Sequence, residues 1–248
     1  MSIIGLTIDY GPYSFLDDYN PGFTPNTTDL PGRRYAFGRQ AAIAFWNLGR
    51  LADAISSLVP DREELAAALE GYKEVYWKQY YYMMGNKLGL DQVYTEDIDF
   101  IDDFEQVLSS VKPDMTLFYQ LLIDLSLELK DEKEIVNHFK DSYYRALLPE
   151  ESKALYHVLQ AYIERIKSNS CSREESILKM KKANPRFILR NYLLYEAIDA
   201  LTSGDNTLFL KLQEAIKEPY SDKFDEFFKR RPDWATRRPG CSMLSCSS

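Results

Sequence analysis

Apolar and polar positions fall into two patterns, and the change comes near residue 40. Residues 2–8 carry Ile3, Ile4, Leu6 and Ile8 with Thr7 and a single Gly5, an apolar, β-branched run that predicts a buried strand. Residues 10–39 show no period. Pro12, Pro21, Gly22, Pro25, Pro31 and Gly32 punctuate them, and Asn26-Thr27-Thr28-Asp29 forms a turn-like cluster. A loop of this length is usually functional or disordered. Tyr10, Tyr13, Phe15, Tyr19, Phe23, Tyr35 and Phe37 argue against disorder and suit a loop pinned to a surface.

From residue 40 the spacing is helical. Ala44, Asn47, Leu48, Leu51, Ile55 and Leu58 line one face of a helix that Pro60 ends. Asp61 with Glu64 makes a cap-like start for the next helix, which runs through Tyr72–Tyr82 and stops near Gly85. Further helices are predicted at about 96–110, 114–128, 131–145 and 150–168. Ser172 with Glu175 resembles a capping box. Pro185 sits near the start of a helix striped by Leu189, Tyr192, Leu193, Ala197 and Ala200. Gly204-Asp205 breaks it, and two short helices follow. The fold class is mainly α with a short N-terminal β element. Three segments follow: 1–39 (strand end and loop), 40–229 (helical body) and 230–248 (basic tail with cysteines). A lone apolar strand needs edge partners. No downstream segment offers one, so its neighbours are expected upstream of Met1 and the chain reads as truncated there.

Composition narrows the function. The net charge of −8 argues against a nucleic-acid footprint, and no apolar run approaches membrane-span length, so neither partner is expected. Three cysteines, Cys171, Cys241 and Cys246, are too few for a disulfide framework and fit no zinc spacing. With only His138 and His157, a histidine-based metal or triad site has little to draw on. Both are read as solvent-facing or satisfied helix residues.

The stretch with chemistry is Ile8-Asp9-Tyr10-Gly11. An apolar strand ending in Asp, aromatic, Gly is the arrangement that holds magnesium against ATP phosphates in protein kinases. Alone, the tripeptide is more often a strand-ending turn. Its setting adds to it. IDYGPYSFLDDYNPGF, GRRYAFGRQAAIAFWNLGRLA, NPRFILRNYL and the terminal SCSS together resemble the selenoprotein O family of kinase-like protein adenylyltransferases, across essentially the whole chain.

The resemblance implies the helical C-terminal lobe of a protein-kinase-like fold, in a pseudokinase that transfers AMP from ATP to Ser, Thr or Tyr hydroxyls of protein substrates. It assigns Asp9 as a ligand of Mg2+ (or Mn2+) and a contact to the nucleotide. The family's catalytic base and its other metal ligand form an Asp-Asn pair that would stand just before Met1. That pair and the upstream nucleotide-gripping residues are not in this chain, which is therefore expected to be inactive alone. A non-catalytic helical module that only binds protein stays open beside this reading. Resemblance to eukaryotic members implies a mitochondrial location, although the chain shows no targeting segment. In the family the position of Cys246 is cysteine or selenocysteine, so Cys246 and Cys241 are redox candidates. The family's bacterial cysteine near Thr24-Pro25-Asn26 has no counterpart here.

Weaker candidates are read structurally. Residues 13–39 match an activation-loop region, for which a substrate platform and a loop packed for stability are both open. Asn47 is expected to bond nearby backbone. Tyr76, Trp77, Tyr80, Tyr81 and Tyr82 are expected to pack in the core. Asp97, Asp99, Asp102 and Asp103 suit a helix start rather than calcium. Arg230, Arg231, Arg237 and Arg238 are expected to touch acidic surface of the same protein.

Overall fold

Side-chain caps start several of the helices. The computed structural model describes residues 11–59, 61–239 and 241. It is mainly helical: α1 (Gln40–Ile55), α2 (Arg62–Leu88), α3 (Glu96–Val111), α4 (Met115–Ile123), α5 (Glu132–His138), α6 (Pro149–Lys167), α7 (Arg173–Ala183), α8 (Asn191–Thr202) and α9 (Thr207–Lys217). Asp61 Oδ1 accepts from the N–H groups of Glu63 and Glu64 at 2.9 and 3.2 Å, which starts α2. Ser172 and Glu175 form the expected reciprocal box at the head of α7, at 3.2 and 2.9 Å. Asp114 caps α4 and Asp131 caps α5 in the same way. Among the described residues there is no strand, and an isolated antiparallel bridge pairs Asp18 with Asp114. The strand predicted over 2–8 lies outside the described residues.

Several boundaries differ from the sequence pattern, each for a local reason. α2 runs past Gly85 to Leu88, because Gly85 is a site of close approach and not a stop. A Cβ there would stand 2.5 Å from Val93 Cγ2. α4 ends at Ile123 and α5 at His138, well short of 128 and 145. Phe139 instead turns fully inward, and a 3-10 turn over Lys140–Ser142 carries the chain away. α8 begins at Asn191 rather than near Pro185, since the N–H groups of Arg186 and Phe187 both donate to the Pro219 carbonyl, at 2.8 and 2.9 Å. Past Gly204 (φ +83°) the described residues form one α-helix, and then 3-10 turns at Asp225–Phe227 and Asp233–Thr236.

The chain divides into two compact units. The first comprises, among described residues, 11–13, 20–59 and 61–81. Its α1 has no buried residue, and the same holds for residues 62–81 of α2. Aromatic rings stack along its surface: Phe45 on Tyr72 with centroids 6.0 Å apart, Tyr76 on Tyr80 at 5.9 Å, Trp77 on Tyr81 at 5.8 Å. This corrects the expectation of core packing for Tyr76–Tyr82. Trp77 is 51% and Tyr82 65% exposed, while Tyr76, Tyr80 and Tyr81 are half-buried.

The second unit comprises Ser14–Tyr19 and the described residues from Tyr82 onward. α3 packs on α6, and α4, α5 and α7 close around them. The centre is aromatic: Phe118 stacks on Phe139 with centroids 4.5 Å apart, and Phe104 meets both Phe118 and Tyr162. Phe187, Tyr192, Leu193, Ala197, Leu212, Phe224 and Phe227 form a further cluster with α8, α9 and the tail. His138 Nε2 lies 2.8 Å from the Leu121 carbonyl, a satisfied helix-end histidine, and His157 is exposed. No helix among the described residues is long and apolar enough to cross a membrane.

One lysine sits inside this unit. Lys87 Nζ donates to Asn184 Oδ1 at 2.8 Å and lies 4.1 Å from the Tyr119 ring centroid. Burial disfavours its charge and lowers its pKa to about 8, against the opposing pull of Glu105. Between that value and the ordinary 10.5 the unfolded chain binds more protons than the folded one, so stability rises with pH. Denaturant unfolding should show wild type gaining about 2 kcal/mol over Lys87→Met from about pH 7.5 to about pH 9.5. Parallel curves for the two proteins would contradict the buried, charge-strained lysine.

Gly89 offers a steric test. Its φ is +75°, and a Cβ would meet Ser176 Oγ at 2.5 Å and Met180 Cγ at 2.8 Å. Gly89→Ala combines a left-handed backbone with overpacking and should cost about 3 kcal/mol in chemical unfolding. A loss within measurement error would refute the close approach.

Candidate functional site

Asp9 and Cys246 lie outside the described residues. The site is therefore built from the chain that leaves the Asp9 motif. Ser14–Tyr19 crosses the second unit as an extended segment. The N–H of Tyr19 donates to the Pro113 carbonyl and that of Met115 to the Asp17 carbonyl, both at 2.8 Å. Leu16 and Tyr19 bury their side chains, and the Tyr19 hydroxyl donates to Glu105.

Side chains close this anchor. Arg190, the residue before α8, reaches Asp17 Oδ1 at 2.6 Å and both Asp114 oxygens at 2.9 Å. Arg190 is 3% exposed and Asp114 fully buried. Tyr144 donates its hydroxyl to Asp114 Oδ2 at 2.6 Å. Arg231 from the tail donates to Asp17 Oδ2 at 3.1 Å, and its guanidinium lies 5.1 Å from the Tyr144 ring centroid. Two arginines thus face two carboxylates, and the planar guanidinium of Arg190 serves both at once. Burial works against the Arg190 charge. The fields of Asp114 and Asp17 outweigh it and hold its pKa above the ordinary arginine value. Burial pushes the Tyr144 phenol upward, reinforced by Asp114, so Tyr144 is a fixed donor.

A second clamp binds the turn after α2. Arg165 bonds Asp97 at 2.6 and 3.0 Å, Asp91 at 3.2 Å and the Gln92 carbonyl at 2.9 Å. Asp91 also accepts from the N–H and hydroxyl of Ser170, at 2.9 and 2.7 Å. Desolvation works against its charge, but these hydrogen bonds win and hold its pKa below the usual carboxylate range. Asp97 therefore braces an arginine and a helix start.

The loop over 20–39, in the first unit, is ordered by polar groups. Asp29 accepts from the N–H groups of Arg34 and Tyr35 at 2.8 and 2.9 Å. Asn26 Oδ1 takes the Thr28 N–H at 3.1 Å, Arg33 Nη1 donates to the Gly22 carbonyl at 3.0 Å, and Arg39 Nη1 to the Gly32 carbonyl at 2.8 Å. Gly38 lets this loop close: its N–H donates to the Pro21 carbonyl at 2.8 Å, and a Cβ would stand 2.9 Å from Pro21 Cβ. Of the aromatics read as pinning the loop, Tyr10 lies outside the described residues and Phe23 is half-buried. Tyr13, Phe15, Tyr35 and Phe37 are exposed, and Tyr19 is buried.

The described residues hold no group of three or more His, Cys, Asp or Glu side chains fit to bind a metal. Two carboxylate pairs are committed to arginines, Asp17 and Asp114 to Arg190, Asp91 and Asp97 to Arg165. They do not by themselves fit a magnesium ion. Cys241 is a buried free thiol among the residues of the α8–α9 cluster, with burial pushing its pKa up. Both features disfavour the reactive thiolate of a redox residue. Of the four tail arginines, Arg231 meets an acidic group, Asp17, while Arg238 donates to the Tyr195 hydroxyl instead. Asp17 and Arg190 lie in the stretches IDYGPYSFLDDYNPGF and NPRFILRNYL, where no local pattern marks either for a role. Asp114 had a local signal, a Pro-Asp step before an apolar run, but nothing local joins it to Asp17 or Arg190.

A family model described as protein adenylyltransferase SelO matches residues 1–217. The match includes Asp9, Asp17, Asp114 and Arg190. A protein of Cytophaga hutchinsonii named protein nucleotidyltransferase YdiU is 57% identical across 100% of this chain. Proteins of the same name from Xanthomonas euvesicatoria and Xanthomonas campestris are each 44% identical, again across 100% of it. The chain spans 48% of the length of each of these relatives. It belongs to the SelO/YdiU family of protein nucleotidyltransferases.

Proposed function

We propose that this chain is the helical portion of a protein adenylyltransferase with a kinase-like fold. The reaction moves AMP from ATP to a Ser, Thr or Tyr hydroxyl of another protein. An acceptor oxygen bonds to the α-phosphorus as the bond to the pyrophosphate oxygen breaks, and the hydroxyl proton passes to a base outside this chain. Asp9 would be one ligand of the magnesium ion that accompanies ATP. Magnesium keeps near-octahedral geometry and dehydrates reluctantly, so a single carboxylate is only part of a site.

The observation that carries this reading is the family match, which extends through the Asp9 motif. The anchor supports it. Asp17, eight residues beyond Asp9, is tied to Arg190 and Arg231, so the chain leaving the motif is held by buried charge. Rigid support of that kind is what a metal-ligating residue needs to keep its geometry. A role as a purely protein-binding helical module has no observation in its favour beyond the exposed aromatics of the first unit.

Titration calorimetry of the isolated chain with magnesium-ATP should show no micromolar binding, and micromolar binding would contradict the proposed division of the site. Adding the part of the Cytophaga relative that this chain does not span should restore nucleotide binding and AMP transfer to a protein acceptor. In that assembly Asp9→Asn should abolish transfer while leaving the unfolding transition in place. Undiminished transfer by Asp9→Asn would overturn the assignment of Asp9.

A further inference from the structure

Residues 31–50 contain four arginines, Arg33, Arg34, Arg39 and Arg50, and no acidic residue, in a chain of net charge −8. Their side chains do different things. Arg33, with φ +46°, turns back to the Gly22 carbonyl, and Arg39 reaches the Gly32 carbonyl. Arg34 instead lays its guanidinium over the Trp46 indole, 4.2 Å from the ring centroid and 5.7 Å from that of Tyr35. Arg50, one helical turn beyond Trp46, lies 5.5 Å from the same indole. The Asp29 carboxylate, bonded to the N–H groups of Arg34 and Tyr35, fixes the backbone that aims Arg34.

A guanidinium stacked on an indole keeps its edge N–H donors pointed outward and loses little freedom when an anion arrives. Among the described residues no carboxylate pairs with the Arg34 side chain. Tyr35 is 51% and Trp46 46% exposed, so apolar rings flank the unpaired charge. Arginine set among exposed Tyr and Trp is the composition of energetic centres in protein interfaces. Charge complementarity selects an acidic partner.

We propose that the Arg34–Trp46 face docks an acidic segment of the protein acceptor, with Glu or Asp carboxylates bound to the edge of Arg34 and neighbouring side chains packed on Trp46 and Tyr35. This names the substrate class for the adenylyltransferase reading and rests on it for the word acceptor. The docking itself is measured without AMP transfer, so either can fail alone.

The probe is a short fluorescein-labelled peptide alternating glutamate and serine around one tyrosine, read by fluorescence anisotropy with the full chain. The peptide should bind at low salt and weaken as salt rises. Its glutamine counterpart should not bind. Arg34→Gln should lose about tenfold in affinity, the size of one charged hydrogen-bonded pair. Arg34→Lys should recover only part of that, because an ammonium keeps the charge without the planar fork. Trp46→Leu should weaken binding while Arg62→Gln leaves it unchanged, with thermal unfolding confirming that each variant is folded. Equal binding of the glutamine peptide, equally tight binding of single-stranded oligothymidine, unaltered affinity in Arg34→Gln, absence of any peptide binding, or sedimentation showing this face covered by a second copy would each overturn the proposal.

Discussion

A guanidinium removed from water is tolerated only when carboxylates replace the water, and Arg190 is the residue where this protein meets that condition. It is buried against Asp17 and Asp114, which come from positions far apart in sequence. Asp114 also caps α4, Arg190 precedes α8, and Asp17 belongs to the extended segment before the long loop. One cation therefore fixes three elements at once. Removing any partner leaves an uncompensated buried charge, which costs on the order of 3–5 kcal/mol. Tyr144 and Arg231 complete the set, so the basic tail closes over the same point.

Around this cluster the second unit is built in an ordinary way. Aromatic rings fill the space among α3, α4, α5 and α6, and polar clamps secure the turns. Lys87 and Asn184 form a buried polar pair beside Tyr119, with Gln120 donating to the Asn184 carbonyl at 2.9 Å. The first unit is different. Its helices bury no side chain below the surface, and its order comes from Asp29, Asn26 and the arginines of the loop.

The sequence was legible where the physics is local. Asp61 and the Ser172–Glu175 box announced their helices, and Gly204 announced its break. Family resemblance was equally plain, since its motifs are contiguous. Misreadings came where distant residues decide. Gly85 reads as a helix stop until Val93 is seen to need its space. Pro185 reads as a helix start until Pro219 claims the N–H groups of Arg186 and Phe187. The aromatics of α2 read as core because hydrophobicity does not reveal whether a partner is present. The charge cluster was invisible for the same reason: Asp17, Asp114 and Arg190 are commonplace residues until the fold brings them together.

The claim that the buried charges hold the segment beyond Asp9 in place is most directly tested by native-state hydrogen exchange at the Tyr19 and Met115 amides, which bond to the Pro113 and Asp17 carbonyls. In the wild-type chain both should exchange only through global unfolding of the second unit. In Asp17→Asn they should exchange through a local opening while amides in α6 stay protected. Fast exchange of both amides in the wild type, or unchanged protection in Asp17→Asn, would contradict the account.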